Sequence, residues 1–115
     1  MSDFEDRIRA SKRVNITHGD VVLHCMLPDG LTWALAQGDA RTRFDMLMDC
    51  VRDWTGVTVG MLLPGAPDAA DTAEFSRAAL EAYVGDRPSV WMPLLEGIRT
   101  PIEQRAKAAE ESQKN

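Results

Sequence analysis

Soft metal ligands are scarce in this chain. Its 115 residues contain two histidines and two cysteines, and neither Cys-x-x-Cys nor His-x-x-x-His spacing occurs. His18 and His24 stand apart, and adjacent residues His24 and Cys25 point to opposite faces of any strand, so they cannot grip one ion or form a nucleophile pair. Two cysteines are also few for a secreted chain stapled by disulfides, so Cys25 and Cys50 are expected as buried free thiols of a reducing cytoplasm. Bases are in the minority, 13 Lys+Arg against 18 Asp+Glu, a formal charge of −5. That balance lacks the basic footprint of a nucleic-acid binder and is repelled by an anionic lipid surface. No apolar run approaches the ~20 residues that span a bilayer. The start, Met1-Ser2-Asp3-Phe4-Glu5-Asp6-Arg7, has no apolar segment of the secretory kind. Thr55-Gly56-Val57-Thr58-Val59-Gly60 carries two glycines but no Lys-Ser/Thr after them, so it is no phosphate loop. No metal, cofactor, nucleic acid or membrane is expected, and no catalytic constellation is legible.

What is present is an ordinary globular balance, 44% apolar and 27% charged, in a length suited to one domain. Ser2-Asp3-Phe4-Glu5 fits a capping box that opens a short helix over residues 3–12, with Phe4 and Ile8 on one face. Residues 14–36 read as a β-meander. His18-Gly19 closes a first hairpin, with Ile16 facing Val21 and Val14 facing Leu23. Pro28-Asp29-Gly30 closes a second, pairing Leu27 with Leu31, Cys25 with Trp33 and Leu23 with Leu35. At Gly38 the period changes. Asp39 caps a helix over residues 40–54, whose stripe Phe44, Leu47, Met48, Val51 and Trp54 covers the sheet. Residues 57–71 break every period and read as a loop, with residues 61–63 tucked toward the core. Helices follow over residues 77–84, capped by Ser76 or Asp71, and over 88–99. Thr100-Pro101-Ile102-Glu103 looks like a helix restart. The expected fold is α+β: a small antiparallel meander near 14–36 packed against three to four helices. Residues 1–100 form one globular domain, and 101–115 a solvated helix or tail.

Trp33, Trp54 and Trp91 are expected core anchors. Asp45, Asp49 and Asp53 recur every four residues on the long helix, so they share a solvent face opposite its stripe or dock a basic partner.

Two stretches carry a resemblance. Asp53-Trp54-Thr55-Gly56-Val57, and further on Glu74-Phe75-Ser76-Arg77-Ala78-Ala79-Leu80, resemble the Trp-x-Gly-Val and Phe-Ser/Thr segments of the small tail assembly chaperones of long-tailed bacteriophages and prophages. The likeness covers roughly residues 40–100, with an N-terminal β segment carrying a Pro-Asp-Gly turn; the connection from Gly60 to Asp71 is longer and richer in Ala, Gly and Pro than that pattern. The resemblance implies a protein that is not an enzyme. It implies binding to the tape measure protein, which it keeps soluble in the bacterial host cytoplasm during tail morphogenesis, and recruitment of the tail tube protein. The alternatives are a structural phage component, such as a tail-completion or head–tail connector protein, or a small bacterial protein-binding domain. For a helical client, the expected lining is Met61, Leu62 and Leu63 with Met92 and Leu95, because methionine adapts to varied partners. Self-association into homo-oligomers is expected to protect such a patch without a client.

Overall fold

The computed structural model describes residues 3–114. Helix α1 (Asp3–Ser11) leads into strand β1 (Arg13–His18) and strand β2 (Val21–Met26). Helices α2 (Gly30–Ala36) and α3 (Ala40–Cys50) follow, then strand β3 (Val51–Thr55) and a single turn α4 (Val59–Leu62). The chain ends with α5 (Arg77–Asp86), a 3-10 turn (Pro88–Val90) and α6 (Trp91–Lys114). The three strands form one antiparallel sheet in the order β1-β2-β3, so the architecture is α+β. The capping residue Ser2 lies outside the described residues.

The sheet differs from the expected meander in its third strand. Pro28-Asp29-Gly30 does not turn a hairpin. Instead Asp29 caps α2, accepting from the Thr32 backbone N–H at 2.8 Å and the Thr32 hydroxyl at 3.0 Å. An Asp in extended conformation serves a turn or a helix N-terminus equally well, and here the Thr three residues on engages its carboxylate as a helix cap. Leu31, Trp33 and Leu35 therefore do not pair with Leu27, Cys25 and Leu23.

Their place is taken by β3, from the stretch expected to end the long helix. α3 stops at Cys50 and the chain becomes extended at Val51 without a loop. Leu23 lies opposite Trp54, His24 opposite Asp53 and Cys25 opposite Val51, so Arg52 is an extra residue, a β-bulge. The bulge lets Val51 and Trp54, three apart, both face the core. Three is also a helical spacing, which is why the stripe from Phe44 continues smoothly into a strand.

In the first hairpin the loop is Gly19-Asp20, and His18 pairs with Val21. Gly19 has φ 60° and is followed by a residue at negative φ, the pattern of a II′ hairpin turn. Ile16 thus faces Leu23, and Val14 faces Cys25. The shift from the expected register is two residues, so the same side chains still face the core.

Helices cover one face of the sheet. Leu23, Leu47, Met48, Val57, Leu80, Tyr83, Val90, Leu94 and Ile98 are essentially inaccessible. Trp54 is buried, whereas Trp33 and Trp91 are half-buried, Trp91 stacking on Phe44 at 6.0 Å. Ser76 caps α5 through the Ala79 N–H at 3.0 Å, and α5 runs to Asp86, past Gly85. α6 does not restart at Thr100 but continues through Pro101. Pro101 cannot donate to the Gly97 carbonyl one turn back, yet Ile98 and Ile102 on either side are buried and hold both turns on the core. Gly97 itself lets α6 approach β1, since a Cβ there would come within 2.8 Å of the Ile16 side chain. Over residues 103–113 the helix is exposed, and the described molecule measures 58 × 35 × 23 Å.

The 57–71 connection is ordered. Val59 N–H donates to the Asp71 carbonyl at 2.8 Å, Gly60 N–H to Ala69 at 2.9 Å, and Ala73 N–H to Val57 at 2.9 Å. The Trp54 indole N–H donates to the Ala73 carbonyl at 2.9 Å, and its ring meets Phe75 edge-on at 5.1 Å. Gly56 starts this return at φ 91°, where a Cβ would overlap the Asp20 carbonyl oxygen.

Two expectations follow for denaturant unfolding. Trp54→Ala should lower stability by about 3–5 kcal/mol. Gly56→Ala should destabilise far more than Gly19→Ala, because both positions have positive φ but only Gly56 also meets backbone; equal midpoints for the two alanine variants would contradict that packing.

Candidate interaction surface

The polar residues that could carry chemistry fall in separate places. The open face of the sheet holds His24, whose Nδ1 lies 3.0 Å from Asn15 Oδ1 and Nε2 2.7 Å from Thr55 Oγ1. With Asn15 presenting its carbonyl oxygen, His24 donates from Nδ1 and accepts the Thr55 hydroxyl proton at Nε2. Cys25, next in sequence, is buried on the opposite face. His18 bridges Tyr83 Oη (3.1 Å) and Ser89 Oγ (3.2 Å), fastening the hairpin to α5 and the 3-10 turn. A serine against an imidazole has the outline of a nucleophile and its base. The third member, however, is a phenol that burial pushes above its ordinary range, with nearby Arg87 opposing. A neutral phenol cannot stabilise an imidazolium as a carboxylate does.

Of the three regularly spaced aspartates, two remain together. Asp45 and Asp49 on α3 both pair with Arg77 of α5, Asp45 at 3.2 Å, and Arg77 also reaches Glu81 at 3.4 Å. Asp53 sits on β3 and accepts from the Trp54 N–H at 2.8 Å. Among the described residues no three His, Cys, Asp or Glu side chains converge on a metal-sized site.

Both cysteines are free and buried. Burial, reinforced by Cys50, pushes the Cys25 thiol up to about 12. Burial pushes Cys50 up to about 11, with Arg52 opposing and Asp49 assisting. Neither is a nucleophile at neutral pH.

The residues expected to line a client site are divided by the structure. Leu95 belongs to the core at 6% exposure, on the same inward stripe as Leu94 and Ile98. Met61 and Leu62 are half-buried against that core. The Met61 carbonyl accepts from Arg87 Nη2 at 2.8 Å, which pins α4 to α5. Leu63 and Met92 are open to solvent, at 52% and 54%.

Sequence reasoning missed a groove between α2 and α3. Met26, Leu27, Pro28, Met46 and Cys50 line it, with Asp29, Asp45, Asp49, Thr32, Thr42 and Arg52 around them, and its volume is about 360 Å³. It exists because α2 is a helix and not a strand. Asp29 and Asp39 hold its two walls at their N-termini. Their carboxyls lie below the usual range through hydrogen bonds to Thr32 and Thr42, the backbone N–H first for Asp29 and the hydroxyl first for Asp39. A lowered carboxyl favours the folded state above the ordinary aspartate range, and that preference is lost as pH falls through the lowered value. The Asp-x-x-Thr spacing at 29–32 and 39–42 is the signal that could have revealed both walls.

No helix among the described residues is long and apolar enough to cross a membrane. Compared with known families, curated proteins and solved structures, the chain matches no family model, no curated protein and no solved structure.

The thiols offer a check on the placement of the groove floor. Native protein at pH 8 should alkylate roughly 100-fold (Cys50) to 1000-fold (Cys25) more slowly than an accessible cysteine, and both should react at once in guanidinium. Rapid labelling of Cys50 in the folded protein would mean that α3 presents a different face.

Proposed function

We propose that this chain is a tail assembly chaperone, a protein-binding module that holds a helical segment of the tape measure protein in the groove between α2 and α3. The groove is the observation that carries the reading. Its floor is apolar and contains two methionines, Met26 and Met46, whose flexible thioethers adapt to different side chains. Its rim supplies hydroxyls and carboxylates that can orient a bound segment. A volume of about 360 Å³ suits a few aliphatic side chains from one face of an amphipathic helix. The Trp-x-Gly-Val and Phe-Ser stretches support the family likeness. Trp54, Val57 and Phe75 of those stretches form the packed clasp behind the sheet, a structural role rather than a client-binding one.

Binding sites of this kind leave the client free to fold elsewhere, so function is read as solubility. Co-expression with a tape measure fragment from the same gene cluster should raise the soluble fraction of that fragment several-fold. Arg52→Trp, which fills the groove mouth from an exposed position on β3 and leaves the Asp29–Thr32 cap intact, should abolish the gain while the protein stays folded. If Arg52→Trp keeps the gain and Leu62→Asp loses it, the client sits on the α4 side and the groove assignment fails. If the fragment is equally insoluble with and without the wild-type chain, the chaperone reading falls.

A further inference from the structure

Six large apolar side chains are exposed among the described residues, and four of them sit on two short helices. Phe4 (66%) and Ile8 (42%) lie one turn apart on α1, and Leu31 (70%) and Leu35 (72%) one turn apart on α2. Each pair makes a ridge, and neither ridge is covered by the rest of the chain. α1 has no buried residue at all, and α2 buries only Ala36. A nine-residue helix without a packed face is marginal in water, held here at its end by Arg105 on the Ser11 carbonyl and hydroxyl, so cover on Phe4 and Ile8 would stabilise it.

The two ridges start from the same end of the sheet. Arg13 opens β1 directly opposite Met26 at the close of β2, and the Leu27 N–H donates to the Lys12 carbonyl at 2.8 Å. α1 leaves one side of this joint and α2 the other. α2 carries no charged residue, while α1 carries acids in its first turn and Arg9 in its last. The uncharged α2 ridge therefore presents no charge to α1, whose own charged residues, Glu5 and Arg7 among them, border the Phe4–Ile8 ridge.

We infer that a second copy of this chain covers both ridges, α1 of one protomer packing on α2 of the other about a two-fold axis. Such an axis makes the contact twice, with no ridge left open. The area agrees with this occupant. At the exposures above, the four side chains offer roughly 450 Å² of apolar surface per protomer, and an interface of ~800 Å² per partner that is about 56–65% apolar requires about that much. A single client helix laid on α2 would leave Phe4 and Ile8 in water. The net charge of −5 opposes association, but the four ridge side chains are uncharged and repulsion between exposed charges is screened at physiological salt. The inference does not depend on the nature of any client, and the α2–α3 groove is a separate surface.

Light scattering on the full chain across the micromolar range should give twice the 12.7 kDa protomer mass. Ile8→Glu and Leu35→Lys, both at exposed positions, should each weaken the dimer by roughly 100-fold, about tenfold for each of the two contacts. Circular dichroism should show both variants folded. An equimolar mixture of the two should regain dimers. The mixed dimer has one wild-type contact and one Glu–Lys contact, whereas each variant alone has two mismatched ones. A wild-type chain that stays monomeric overturns the inference, as does a dimer indifferent to both substitutions. Monomeric variants that do not recover on mixing overturn the pairing of α1 with α2, because like-with-like packing of the ridges would give that result.

Discussion

Burial of Trp54 depends on one hydrogen bond. The indole is large enough to anchor the core, but its N–H would be left without a partner there, at a cost of about 1–3 kcal/mol. The Ala73 carbonyl accepts it at 2.9 Å, and this fixes how the chain must return after β3. Gly56 makes the turn, Val57 enters the core, and Ala73 comes back beside Val57 through its own N–H. The apolar stretch between them, broken by Pro64 and Pro67, is thereby held as an ordered excursion rather than a free loop. Phe75 then meets the Trp54 ring edge-on, and Ser76 starts α5 directly afterwards.

The bulge at Arg52 serves the same arrangement. Without an extra residue, Val51 and Trp54 would face opposite sides of the sheet, and one of them would stand in water. With it, rows run unbroken across the three strands: Ile16, Leu23 and Trp54 in one, Val14, Cys25 and Val51 in the next. On the opposite face His24 is hydrogen-bonded to Asn15, directly across on β1, and to Thr55, diagonally across on β3. Both histidines are thus structural fasteners, one across the open sheet face and one between the hairpin end, Tyr83 and Ser89. The carboxylates of α3 are similarly engaged with Arg77. Polar chemistry is spread through the fold and largely spoken for, whereas apolar surface is concentrated in the α2–α3 groove and on α1 and α2. The proposed reading as a protein-binding module rests on that contrast.

Conversion of one expected strand into α2 has the widest consequences. It moves Leu31 and Leu35 from a sheet interior to the solvent and opens the groove above Met26 and Met46. Trp33 becomes half-buried instead of a cross-strand partner. A single capping interaction, Asp29 with Thr32, marks the point at which these alternatives part.

Much of this protein is decided locally and was legible in its residues. The α+β class follows from a change of period, the first hairpin from alternation around Gly19, and α3 and α5 from their caps at Asp39 and Ser76. The inward side of β1 and β2, Cys25 included, follows from strand parity, which survives a two-residue slip in register. What only the tertiary structure decided are choices where local signals are balanced. Pro-Asp-Gly serves a turn and a helix start alike. Val51 and Trp54 satisfy a helix stripe and a bulged strand alike. Pro101 looks like a boundary but lies inside α6, because Ile98 and Ile102 pack on both sides of it. Leu31 and Leu35 read as core and are surface. In each case the winner is set by which distant residues are available to pair: β2 needs a third strand, and β3 offers Trp54 where residues 31–36 would offer Leu35.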